Sequence, residues 1–149
     1  MHIDETYIYF KTKEYLIKNG WIPLAGEPAG GSDELPRIEI RDPDNRNKGS
    51  KGSYKIDLIS QKKDAILLTE AKVNYHKSDI IKLNIITTSK LPLLILAIKE
   101  RLNVDISPKY IVKSLALHKF RLSQIPKDYV CLKIDGTIDV INPELLFKD

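Results

Sequence analysis

The run Ile66-Leu67-Leu68 narrows the possible folds more than any other stretch, because it puts apolar residues at successive positions. A strand with one wet face alternates polar and apolar. A strand that is apolar on both faces is buried on both and needs a layer above and below it. The neighbouring elements can supply those layers. A helix is expected over residues 4–19, with Asp4 as its cap and Gly20 as its stop. Its inward side is read as Tyr7, Phe10, Glu14 and Ile17, widened by Ile8, Tyr15 and Leu16. Residues 21–24 run extended, and residues 37–41 alternate as a half-buried strand. Two strand-like runs, 54–60 and 65–71, flank Gln61-Lys62-Lys63-Asp64, a hairpin connection. Ser78 opens a helix to 87, Pro92 opens a second that ends near Asn103, and 110–117 is a strand. Strands 129–134 and 137–141 form a hairpin across Asp135-Gly136. Helix, strands, helices, strands is the order of a mixed α/β sandwich around one sheet, and 149 residues is the length of one domain.

Composition removes several alternatives. With 42% apolar and 30% charged residues the chain can bury a core and is not of the disordered class. One cysteine, Cys131, allows no internal disulfide and no Cys-rich zinc module, and His2, His76 and His118 have no metal-ligand spacing. Cys131, Trp21 and Tyr110 read as core residues. The longest apolar run, 91–98, falls well short of the roughly 20 residues of a membrane span, and residues 1–5 do not begin like a secretion signal. The expectation is a soluble, cytoplasmic protein. The balance of 24 basic against 20 acidic residues, a net charge of +4, suits a polyanionic partner. The polar stretch 42–53 carries Arg46, Lys48 and Lys51 among glycines. It reads as an exposed loop that could order over a phosphate backbone or simply solubilise the chain.

The chemistry is concentrated in Lys55-Ile56-Asp57-Leu58-Ile59 and Leu68-Thr69-Glu70-Ala71-Lys72. Asp57 interrupts an apolar run, and Glu70 ends one. Glu70 and Lys72 are two apart on a strand and so project from the same face. If the two runs pair as a hairpin, Asp57 comes beside Glu70. Two carboxylates, a backbone carbonyl such as that of Ala71, waters and a phosphate oxygen make a hard oxygen site suited to Mg²⁺. A lysine beside it can orient a water or stabilise developing charge. The same residues could equally form a solvated ion pair of little energetic consequence. A carboxylate in a buried strand, however, costs several kcal/mol unless a partner offsets it.

At these residues the chain resembles the PD-(D/E)xK nuclease superfamily, with Asp57 as the first carboxylate and Glu70-Ala71-Lys72 as the second half, with twelve residues between Asp57 and Glu70. Ile56 stands where that family usually has proline. The resemblance spans residues 4–117: a helix, a three-strand meander, a crossing helix and a further strand. It implies a restriction-endonuclease-like mixed β-sheet flanked by helices. It also implies a Mg²⁺ (or Mn²⁺)-dependent endonuclease that hydrolyses DNA phosphodiester bonds. The implied catalytic residues are Asp57, Glu70 and Lys72. The metal would be held by Asp57, Glu70 and the Ala71 backbone, with a first-helix acid, Glu14 or Glu5, as a further candidate. Glu39 is another candidate carboxylate, and Lys82, on the following helix, falls where family members place a polar residue. Arg46, Lys48, Lys51, His76, Lys77 and Lys82 are the candidate DNA contacts. Cutting both strands from a chain with one site calls for a homodimer, to which residues 91–98 and Val140-Ile141 could contribute. The alternative is a nucleic-acid-binding or assembly module without catalysis on the same fold.

Overall fold

The computed structural model describes residues 2–28, 34–41, 53–103 and 106–146. Its helices are α1 (Glu5–Lys18), α2 (Lys77–Thr87) and α3 (Leu91–Leu102). Its strands are β1 (Ile22–Gly26), β2 (Glu39–Arg41), β3 (Ser53–Lys55), β4 (Leu58–Lys62), β5 (Ala65–Asn74), β6 (Tyr110–Lys119), β7 (Tyr129–Asp135) and β8 (Thr137–Ile141). Six strands form one mixed sheet in the order β1-β4-β5-β6-β7-β8, and β2 with β3 makes a separate two-stranded ribbon. β5, β6 and β7 are parallel neighbours, and the other pairs are antiparallel. The fold is the mixed α/β class that the element order predicts.

The central position of β5 follows from its side chains. Ile66 and Leu68 face one hydrophobic cluster, with Ile80, Leu83 and Ile86 of α2 and Leu94 and Ile98 of α3. Leu67 and Ala71 face the other, with Ile8, Tyr9 and Leu16 of α1 and with Trp21. The sheet is therefore the middle of three layers. A buried hydroxyl pair, Thr69 with Ser114 at 2.6 Å, ties β5 to β6.

Several local expectations are corrected. The buried stripe of α1 is Ile8, Tyr9, Thr12 and Leu16, whereas Phe10 and Ile17 are exposed. Thr12 can lie in it because its hydroxyl donates to the Ile8 carbonyl at 2.7 Å, which satisfies the polar group locally. Asp4 does cap α1, accepting from the Tyr7 amide at 2.8 Å. Helix α2 begins two residues earlier than expected, with His76 rather than Ser78 at the cap position and no side-chain capping bond. The run 54–60 is not one strand: it breaks at Ile56 and Asp57 between β3 and β4. Ile56 turns into the α2–α3 cluster and leaves Asp57 at the bend. The β4–β5 turn is tighter than four residues, with Lys63 in the left-handed region at φ 53°. Leu94 and Ile98 are fully buried, so the apolar run 91–98 serves the core first. Trp21 and Cys131 are core residues as expected, and Tyr110 is half-buried. Among the described residues, no single helix is long and apolar enough to cross a membrane.

Candidate functional site

The hairpin register brings the first two carboxylates together. Leu58 pairs with Thr69 at the last rung of the β4–β5 ladder, so Asp57 and Glu70 would be the next pair. There the two side chains replace the backbone ladder. The Asp57 amide donates to Glu70 Oε2 at 2.9 Å, and the Ala71 amide donates to Asp57 Oδ2 at 2.9 Å. The Asp57 carbonyl in turn accepts from the Glu27 amide at 2.8 Å. The bend at Asp57 is thus locked to β5 by its own carboxylate and to the segment after β1 by its backbone.

Strand alternation sets which face the site is on. Ile66, Leu68, Glu70 and Lys72 share the side covered by α2. Lys72 Nζ lies 3.7 Å from Asp57 Oδ2, both side chains about three-quarters buried. Glu70 is completely buried, and its Oε1 meets the ammonium of Lys82 from α2. Lys82 Nζ also donates to the Lys55 carbonyl at 2.8 Å. Burial pushes Lys82 below the usual lysine value, against the Asp57 and Glu27 carboxylates that hold it up. Asp57, Glu70, Lys72 and Lys82 therefore meet at one end of the sheet.

Three further acids belong to this neighbourhood. Asp79, in the first turn of α2, is 7% exposed, and its Oδ2 has no hydrogen-bond partner among the described residues. Burial raises its carboxyl most. Lys72 and His76 pull it down, while Asp57 and Glu5 add to the rise. That places the start of α1, with Glu5, and the start of α2, with His76, around the same site. Glu27 is paired loosely with Lys55 at 3.8 Å and Arg37 at 3.9 Å. Sequence reading misses Asp79 and Glu27. Asp79 sits in a helical pattern that resembles a wet first turn, and Glu27 follows a strand with no motif around it.

The remaining candidates lie elsewhere or are only peripheral. Glu14 is on the exposed side of α1, 3.4 Å from Lys18, about 13 Å along the axis from Glu5. Its expected place on the inward face does not hold, so Glu5 is the α1 acid near the site. Glu39 is in the β2–β3 ribbon beside Arg37 and Arg101. Lys77 and His76 are exposed at the start of α2. Arg46, Lys48 and Lys51 lie outside the described residues. His118 Nδ1 is 2.9 Å from the Ile134 carbonyl, remote from any metal-ligand group.

Among the described residues no three His, Cys, Asp or Glu side chains gather around one point. What converges is two carboxylates and the Ala71 peptide, whose carbonyl projects from the same strand edge as the amide that Asp57 accepts. A small hard cation that keeps several waters needs no more than one or two carboxylates, so the set fits Mg²⁺ and does not fit a fully protein-ligated ion. No family model, curated protein or solved structure matches this chain.

Proposed function

We propose that the chain is a Mg²⁺-dependent endonuclease that hydrolyses DNA phosphodiester bonds through Asp57, Glu70 and Lys72. The observation that carries this reading is the Asp57–Glu70 clasp, with Lys72 beside it, at the end of a buried strand. Burying a carboxylate at a strand end costs several kcal/mol of desolvation, and a charge held at that cost marks a candidate functional group.

Bound magnesium would supply charge neutralisation at the phosphoryl oxygens and a more acidic water. Asp57, Glu70 and the Ala71 carbonyl are the groups that would hold it. The bend at Asp57 keeps its carboxylate rigid, because the same group accepts the Ala71 amide. Lys72 is placed by Asp57, and its ammonium would stabilise the negative charge that grows on the phosphate or orient the attacking water. Asp79 and Glu5 add negative potential around Lys72, which favours a cation over free phosphate until metal arrives. Lys77, His76 and the basic segment around Arg46, Lys48 and Lys51 are the proposed tracking contacts to DNA. Binding would then be weak, sequence-independent and steeply salt-dependent. A duplex cut on both strands would need a homodimer or a partner.

One observation favours the alternative, a binding or assembly module: Lys82 already sits on Glu70. The test is the parent protein on supercoiled plasmid and on branched DNA, in Mg²⁺, Mn²⁺ or EDTA. Nicking in metal and none in EDTA is the expected result. DNA binding without cleavage in either metal would favour the module.

A further inference from the structure

Glu70 is the only carboxylate among the proposed ligands that is wholly out of solvent; its Oε2 accepts a hydrogen bond, whereas its Oε1 has no hydrogen-bond partner among the described residues and is met only by the charge of Lys82. Oε2 takes the Asp57 amide, a neutral donor fixed by the backbone. Oε1 takes a full positive charge on a side chain that can move, since Lys82 reaches it from α2 on a four-carbon stem. A dry carboxylate needs a counter-charge, and a lysine and a divalent ion answer the same need at the same oxygen. They cannot both sit on Oε1.

We propose that Lys82 is a tethered internal cation that occupies the metal side of Glu70, so that divalent-ion binding and the Lys82–Glu70 contact are mutually exclusive. The proposal rests on the nuclease reading only for the identity of the metal ligands. Lys82 then sets the metal affinity of the site. It keeps Glu70 neutralised and the fold intact when metal is scarce, and it weakens metal binding by the free energy needed to displace it. Its second anchor, the Lys55 carbonyl at 2.8 Å, lies on β3, so the displaced ammonium keeps a neutral acceptor close by. Among the described residues nothing of this kind stands at Asp57, whose lysine neighbour, Lys72, is at 3.7 Å and lies beside an oxygen already bonded to a backbone amide.

The test is Mn²⁺ binding followed by electron paramagnetic resonance of the free ion, with the parent, Lys82→Met and Lys82→Met/Asp57→Asn. Lys82→Met should bind Mn²⁺ about tenfold tighter or more, and the added Asp57→Asn change should abolish the gain. Affinity equal to or weaker than the parent, or no binding by either, overturns the proposal. Should Lys82→Met fail to fold, the parent alone decides. Lys82 should become more reactive to an amine-directed label, read by mass spectrometry, when Mg²⁺ saturates the protein, with Lys113 unchanged as a control. Lys82 labelling unaffected by Mg²⁺ overturns the proposal. Failure of the nuclease reading looks different: tighter Mn²⁺ binding by Lys82→Met in a chain that never cuts DNA leaves the competition standing. Metal-dependent cutting with unchanged Mn²⁺ affinity removes only the competition.

Discussion

On one flank of α2, Lys82 meets Glu70; on the other, about 200° around the helix, Asn84 meets Lys113. Lys113 Nζ lies 2.6 Å from Asp128 Oδ2 and 2.9 Å from Asn84 Oδ1, over the Tyr129 ring at 4.7 Å. The Tyr129 hydroxyl donates to the Ile80 carbonyl at 3.0 Å and also bonds Asn84 Oδ1 at 2.7 Å. Both flanks carry a lysine and a carboxylate. They differ in where the negative charge sits. The Asp128 side chain is 65% exposed, so water already stabilises it, and Lys113 fastens a loop. Glu70 is 0% exposed, and everything that stabilises it must come from the protein or from a bound cation. Residue type does not separate the two ion pairs; solvation of the acid does.

The largest effect that separates the two flanks is on stability without metal. Lys82→Ala leaves a buried carboxylate with no counter-charge and should cost about 3–5 kcal/mol in urea unfolding. A loss below 1 kcal/mol would place Glu70 in a wetter site than its burial indicates. The alkaline limb sharpens the other flank. Burial pushes Cys131 from its ordinary 9.0 up to about 12 and also raises Tyr129, where Asp128 adds to the rise. Both groups prefer to stay neutral in the fold, so they contribute stability that is full below the unfolded value and is lost as pH rises. For Cys131 the window is pH 9 to about 12, with a slope of up to ~1.4 kcal/mol per pH unit. Cys131→Val should flatten that part of the curve.

Asp79 follows the same rule at lower pH, but its substitution should raise stability rather than lower it. Its carboxyl is raised above the ordinary 3.8, so the fold favours the neutral acid and loses stability as pH climbs through that raised range. Asp79→Asn should therefore stabilise the protein at pH 7, on the order of 1 kcal/mol by thermal unfolding. Destabilisation would mean that attraction to Lys72 outweighs desolvation. The smallest effect belongs to Lys113→Met, where a wet acid is left behind: about 0–1 kcal/mol.

Much of this contrast could be read from the residues, and the rest could not for identifiable reasons. The Asp57–Glu70 pairing follows from the hairpin, and the shared face of Glu70 and Lys72 from period-two alternation. The bend at Asp57 is hidden because Tyr54 to Ser60 is strand-like apart from Asp57, while the long-range fit of Ile56 into the α2–α3 cluster and the bonds of Asp57 to β5 break it. The inward face of α1 is misread because Phe10 and Ile17 are apolar yet exposed and Thr12 is polar yet buried. The contacts of Asp79 and Lys82 depend on how α2 is rotated over the sheet. Its packing against β5, rather than any local pattern, sets that rotation.

The central claim is that the dry flank carries catalysis and the wet flank does not. The most direct measurement is the Mg²⁺-dependent nicking rate of supercoiled plasmid for the parent, Asp57→Asn, Glu70→Gln and Lys113→Met, each first shown to be folded by circular dichroism. Asp57→Asn and Glu70→Gln should lose about a hundredfold or more, equivalent to ~3 kcal/mol of barrier, while DNA binding is kept or tightened because a charge that repels phosphate is gone. Lys113→Met should cut at the parental rate. Folded Asp57→Asn and Glu70→Gln proteins that cut as fast as the parent would contradict the account and make the Glu70 cluster a structural ion pair like its neighbour across α2.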